Sequence, residues 1–320
     1  MRSVALGKTG EHVSAIMLGG HEYLANGRSR GFNEDMALAV SPGFIGEGFG
    51  GPRRVAVLHA AYDLGINAFD VTIDSEKEAL GRTMHSSPPP YPVLVQTRPE
   101  GMCYSYDRNN ARMLDLGLLR AEVQRSLALL RRDAVDLYNI GLLAWSIDGQ
   151  PDYMERLAHN LAALKQEGLI RHAVADSFSG ERLYLAMIDS GAFDVVNIDL
   201  NLGDACGLHG VVPRTRSLGL GLFAREAFFK GELFSIAAAA GFPDRGAVAR
   251  AAVKWVAGCG PDCIIVGVND ADQLRANAAA LEQPALAEDE SALLTAIAAS
   301  AGLLDYQARK TAEFYERRPS

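Results

Sequence analysis

The stretch YMERLAHNLAALKQEGLIRHAVAD, residues 153–176, decides how the whole chain is read. Its first part, up to LKQEG, repeats apolar residues at helical spacing. Its second part, RHAVAD (171–176), is a short apolar run of the kind that forms a buried strand. Helix followed by strand is one unit, and the question is how often it recurs.

Outward from this unit the pattern repeats in both directions. Strand-like runs precede it at SAIMLGG (14–20), INAFDV (66–71), PVLVQTR (92–98) and VDLYNIG (135–141). Others follow at DVVNIDLN (194–201), GLGLFA (219–224) and CIIVGV (263–268). Helical stretches such as LLRAEVQRSLALLRR lie between them. Buried strands alternating with helices predict a parallel sheet, and eight of them predict an α/β fold of the closed (β/α)8 TIM-barrel type. No low-complexity linker divides the chain, so residues 1–320 are expected to form a single domain, with the barrel at 14–283 and a C-terminal extension at 284–320. The opening VALGKTGEHVSAI predicts an N-terminal β-hairpin turning at Lys8-Thr9-Gly10. PALAEDESALLTAIAASAGLL, from Pro284, predicts an amphipathic helix packed outside the barrel.

Bulk properties limit the partners. The chain is 48% hydrophobic and 22% charged, which is the composition of a globular protein with a core that needs no staple. A net charge of −8 argues against nucleic acid or an anionic membrane as partner and leaves a small molecule. The N-terminus lacks the apolar stretch of a signal peptide, and no apolar run is long enough to span a membrane. Cys103, Cys206, Cys259 and Cys263 are scattered, as in a cytoplasmic protein. Oligomeric state leaves no trace in the sequence.

In such barrels the chemistry sits at the carboxyl ends of the strands. That rule places Asp70, Arg98, Asp176 and Arg225 on the working face, and Cys259 and Cys263 on the opposite one. The long first loop, residues 21–51, carries His21 and Glu22 just past the first strand and reads as a lid over the mouth.

Several segments together carry a resemblance: LGKTGEHVSAIMLGG, AAYDLGINAFDV, EALGRTM, SLALLRRDAVDLYNI, LKQEGLIRHAVADSFS and IIVGVNDADQLRAN. In this order and spacing the chain resembles the aldo/keto reductase superfamily over nearly its whole length. The resemblance implies hydride transfer from NADPH to an aldehyde or ketone by a tetrad of Asp, Tyr, Lys and His. In that tetrad the Tyr protonates the developing alkoxide, the Lys lowers its pKa, the Asp holds the Lys, and the His orients the carbonyl.

The residues at the matching positions are different. Asp70 matches the Asp, but Arg98 stands at the lysine position and Gly141 at the histidine position. Thr72, Ile73, Asp74, Ser75 and Glu76 run where a Tyr-Gly pair is expected. Around the implied cofactor seat stand Asp176, Ser177 and Asn197, with Arg225 and Glu226 in place of the ring that stacks on nicotinamide. Asn277 alone fits that seat directly, with Gly267 a further cofactor-binding candidate, whereas Asn269 and Asp270 replace the basic residue for a 2′-phosphate. These replacements disfavour NADPH.

The mouth inventory is therefore charged. Asp70, Asp74, Glu76, Arg98, Glu100, Asp176, Arg225 and Glu226 are expected to ring one cavity. Carboxylates beside arginines suit proton abstraction next to a carbonyl, with the arginines holding an anion. The expectation is a redox-neutral lyase, epimerase or isomerase acting on a small polar, anionic carbonyl or hydroxy compound. Asp70, Arg98, His21, Glu22, Asp74 and Glu76 are its candidate catalytic residues. Arg225, Glu226, Asp176, Tyr104 and Tyr106 are its candidate substrate contacts. Arg98 has two readings, an anion clamp or an inert ion pair with Asp70.

Two alternatives stay open. One is an atypical oxidoreductase using NADP(H) or NAD(H) at Asn197, Gly267 and Asn277. The other is a non-catalytic binding protein. No metal is expected, because neither an HExxH motif nor paired-His spacing is present.

Overall fold

In the computed structural model the described residues are 1–20, 52–102, 107 and 109–312. The loop at 21–51 read as a lid, with His21 and Glu22, lies outside them, as do Tyr104 and Tyr106.

Strands β1 (Ser3–Ala5) and β2 (His12–Ser14) form an antiparallel hairpin, pairing Ser3 with Ser14 and Ala5 with His12. Then come β3 (Ile16–Gly19), β4 (Ala68–Asp70), β5 (Leu94–Thr97) and β6 (Val135–Leu142). They are followed by β7 (Ile170–Ser177), β8 (Val195–Asp199), β9 (Gly221–Arg225) and β10 (Cys263–Val266). These eight run in chain order around a closed barrel of parallel pairs, with β10 returning to β3. Parallel neighbours cannot be joined by a tight turn, so helices such as Pro52–Asp63, Leu116–Leu130 and Tyr153–Gln166 make the crossovers. The chain is thus a (β/α)8 TIM barrel with an N-terminal hairpin. Among the described residues, no helix is long and apolar enough to cross a membrane.

Both faces of each strand are covered, which is why the strands read as near-continuous apolar runs. All eight residues of β6 are buried. Tyr138, Ile140 and Leu142 face the helix layer, while Leu137 packs inside the barrel. Leu137 is fully enclosed, and its removal from water contributes about 2 kcal/mol. Inside, Met17, Leu94, Leu137, Val195, Phe223 and Ile265 form an apolar layer. Leu6 and Val13 of the hairpin belong to the same cluster and stop the barrel at its amino end. Buried Cys263 begins β10 at that end.

The C-terminal extension departs from expectation. It is two helices, Glu288–Ala298 and Ala301–Lys310, instead of one. The Ser300 hydroxyl accepts a hydrogen bond from the Leu303 amide at 3.3 Å and starts the second helix afresh. Leu303 and Tyr306 pack that helix against Phe229 and Leu233, and its last residue returns to the strand ends.

Candidate functional site

Side chains alternate along a strand, so positions two residues beyond the apolar layer also point into the barrel. Leu94 is followed by Gln96, Leu137 by Asn139, and Val195 by Asn197, each fully enclosed. Two residues further on, the inward positions carry charge or are empty. They are Arg98 after β5, Gly141 on β6, Asp199 on β8 and, beyond Phe223, Arg225 on β9. The barrel is filled by an apolar floor, a layer of amides and a charged rim.

Asp176 is the hub of the rim. Gly141 of β6 and Asn197 of β8 flank it in register. Arg225 Nη2 lies 2.9 Å from its Oδ1 and Arg98 Nη2 lies 3.6 Å from its Oδ2. A carboxylate with no exposed surface is tolerable there because two guanidiniums compensate it. Phe178, two residues further along, lays its ring against both cations. The Arg225 Cζ is 4.7 Å from the ring centroid and the Arg98 Cζ is 6.0 Å away. A Cβ on Gly141 would come within 2.9 Å of Phe178 Cε2, so the glycine makes room for the ring.

Arg225 gathers more acids than Asp176. Its Nη1 is 2.9 Å from Asp199 Oδ1 and 3.0 Å from Glu226 Oε1. The two carboxylates titrate differently. Burial pushes Asp199 up to about 6, against the pull of Arg225, with Glu226 and Asp204 adding to the rise. Burial also acts to raise Glu226, but Lys230, Lys310 and Arg225 outweigh it and bring it down to about 2. Lys310, from the last helix, places its Nζ 2.8 Å from Asp199 Oδ2 and 2.8 Å from Asp204 Oδ2, with Glu226 Oε2 at 3.8 Å. Glu226 (φ 59°), Phe229 (φ 52°) and Lys230 (φ 56°) hold left-handed backbone in this segment. That conformation is costly for residues with a Cβ and concentrates at functional sites.

The other expected members of the ring have structural partners of their own, and Asp74, Glu76 and Arg98 all lie close enough to Glu100 to act on its charge. Asp70 accepts a hydrogen bond from Gln96 Nε2 at 2.8 Å. Asp74 is buried at the start of helix Asp74–Ser86, its Oδ1 3.0 Å from Lys77 Nζ and its Oδ2 2.6 Å from Arg125 Nη2. It ties that helix to Leu116–Leu130. Glu76 Oε2 accepts from the Thr72 amide at 2.6 Å and the Thr72 hydroxyl at 3.0 Å, fixing the helix entry. Glu100 is buried in the turn after β5, and burial pushes it up to about 7 despite Lys77 and Arg98. Asn277 is buried on helix Ala271–Ala280, and Gly267 lies exposed after β10.

Phe178, Asp199 and Lys310 are the members that sequence reasoning missed. Alternation along β7 and β8 carries a signal for the first two, since both sit two residues beyond an inward position. Lys310 has no such signal, because its partner Asp199 is 111 residues away.

Comparison with known proteins agrees with this architecture. The model of the Aldo/keto reductase family matches residues 47–225, more than half of the chain. A solved structure from Pseudomonas aeruginosa, provisionally described as an aldo-keto reductase, shares the fold with a TM-score of 0.60 at 22% identity. The alignment covers 87% of this chain and 95% of that one. A second structure of the same description and organism gives 0.59 at 21% identity, with 87% and 95% covered. The curated proteins searched contain no match. With the family match spanning β4 to β9 and the closed barrel that frames it, this chain belongs to the aldo/keto reductase family.

Proposed function

We propose that the barrel mouth binds a small polar, anionic carbonyl or hydroxy compound and moves a proton on it without net redox change, as a lyase, epimerase or isomerase does. The observation that carries this reading is the pair of carboxylates on Arg225. Asp199 and Glu226 sit 2.9 and 3.0 Å from one guanidinium, and their surroundings drive their proton affinities to opposite sides of the ordinary carboxylate range. Two acids separated in this way supply a proton donor and a proton acceptor in one site. Arg98, more exposed than Arg225, serves as the anion clamp; its flat fork suits a carboxylate and stabilises the enolate that forms when the neighbouring C–H loses its proton.

A nicotinamide cofactor fits these residues poorly. The resemblance places a stacking ring at Arg225, but this guanidinium is held by three carboxylates and lies against Phe178. At the implied 2′-phosphate end, the Asp270 carboxylate caps helix Ala271–Ala280, accepting from the Gln273 amide at 2.9 Å. A phosphate brought there would meet like charge where a helix N-terminus would otherwise favour it. One feature favours the oxidoreductase reading: the amide of Asn197 is buried with neither its oxygen nor its nitrogen hydrogen-bonded among the described residues, and it would suit a carboxamide.

Titration of the purified protein with NADPH and NADH, followed by nucleotide fluorescence, separates the readings. The proposal expects no saturable binding; tight binding with turnover of a carbonyl substrate overturns it. A thermal-shift panel of hydroxy acids, sugar acids and phosphates then seeks the ligand. Arg98→Met should abolish any ligand-induced shift. If that variant is stabilised by the ligand as much as the parent, Arg98 is not the clamp.

A further inference from the structure

The helix Ala301–Lys310 is docked beside the strand ends at two points, with an outer Arg309–Glu232 ion pair besides. Of its ten residues only Leu303 and Tyr306 are buried core, so its footprint is narrow. The first point is aromatic: Tyr306 stacks on Phe229 with centroids 4.8 Å apart and planes at 18°. The ring fits because Gly203 has no side chain, a Cβ there lying within 2.8 Å of Tyr306 Cε1. The second point is ionic, with the Lys310 ammonium among Asp199, Asp204 and Glu226.

One tight turn supplies half of each point. Asn201 Oδ1 accepts from the Gly203 amide at 2.9 Å and the Asp204 amide at 2.8 Å, presenting the bare glycine and the carboxylate side by side. The left-handed segment 226–230 supplies the other half, through Glu226 and Phe229. The helix is held by two buried side chains, the Lys310 charge and a half-exposed Arg309–Glu232 pair at 2.7 Å, and few buried apolar contacts of this kind mark elements that open locally. While it is docked, Asp199 is 6% exposed and both its oxygens lie beside cations.

We propose that this helix is a self-docking plug: seated, Lys310 neutralises and encloses Asp199 and Glu226, and lifting the helix opens them. The consequence for activity rests on the acid–base reading above, but the docking is measurable without it. The groups facing Asp199 are Arg225 of β9, Glu226 and Asp204 of the adjoining turns, and Lys310 of the helix. The plug therefore responds to ions that compete for Lys310 and to anything that binds the end of the chain.

The test uses the full chain and no ligand. Water-soluble carbodiimide with an amine nucleophile labels accessible carboxylates, and mass spectrometry reads Asp199, Asp204 and Glu226 individually. In the native protein these three should label slowly; Lys310→Met should raise their labelling about tenfold or more, whereas Lys310→Arg should keep most of the protection. Tyr306→Leu removes the aromatic point while leaving the charge and should give an intermediate rise. It also serves, with hydrogen exchange across 301–310, if the Met variant does not fold. Unchanged labelling in the folded variants, or fast labelling already in the native chain, overturns the plug. Failure of the proposed chemistry would leave these labelling results as they are, so the two ideas fail separately.

Discussion

The ring of Phe178 occupies the space that a side chain on Gly141 would need. The glycine is on β6 and the ring follows β7, so the fit joins neighbouring strands at the level where Arg98 and Arg225 meet Asp176. Gly141→Ala should therefore act at a distance from its own strand. Its Cβ would press on Phe178, costing about 1–3 kcal/mol, which a urea titration would register. Trimming the ring as well, in Gly141→Ala/Phe178→Leu, should recover part of that loss. If the single variant is as stable as the parent, the ring has room that the geometry denies.

Asp176→Asn should be among the most damaging single changes in the rim. It leaves Arg225 short of one of three carboxylates and removes the Arg98 contact at 3.6 Å. Breaking a buried, charge-compensated carboxylate costs about 3–5 kcal/mol. Chemical denaturation measures it, and a loss below ~1 kcal/mol would mean the two guanidiniums find other compensation.

Glu100 makes stability depend on pH in a direction opposite to most paired acids. Its folded-state value is raised from 4.5 to about 7, chiefly by burial, so the folded chain holds a proton that the unfolded chain has released. Its contribution is fully present below pH 4.5 and is lost as pH rises toward 7. The loss amounts to about 3 kcal/mol. Glu100→Gln should flatten this part of the profile, with the difference between the two proteins growing across that window. A constant difference at all pH values would contradict the assignment.

Asp74 and Glu76 should behave as structural residues. Asp74→Ala takes its ion-pair partner from Lys77, which has no exposed surface, and should cost about 3–5 kcal/mol. Glu76→Ala removes acceptors for Thr72 and should cost about 1 kcal/mol. Neither should alter the response to Arg98-dependent ligands in a thermal-shift assay beyond the change in baseline. Loss of that response in a folded Glu76 variant would return it to the site.

The barrel was legible because burial on both strand faces writes apolar runs into the sequence at nearly every strand, as in β6 and β7. The working-face rule puts Asp176, Arg98 and Arg225 at one end, where Asp176 meets both guanidiniums. Asp74 and Glu76 show why residue type alone is ambiguous, because their acids also serve the helix start, and capping and catalysis draw on the same residue types. The tail was harder still. An alanine-rich run continues its helical period across Ser300, and only the cap there reveals two helices. Lys310 meets Asp199 by tertiary folding alone, which no local period encodes.

The hairpin stopper has a consequence for traffic. With Leu6 and Val13 filling the amino end beneath the packed apolar layer, no passage runs through the barrel among the described residues. A ligand of the kind proposed for the rim would therefore arrive and depart by the same side.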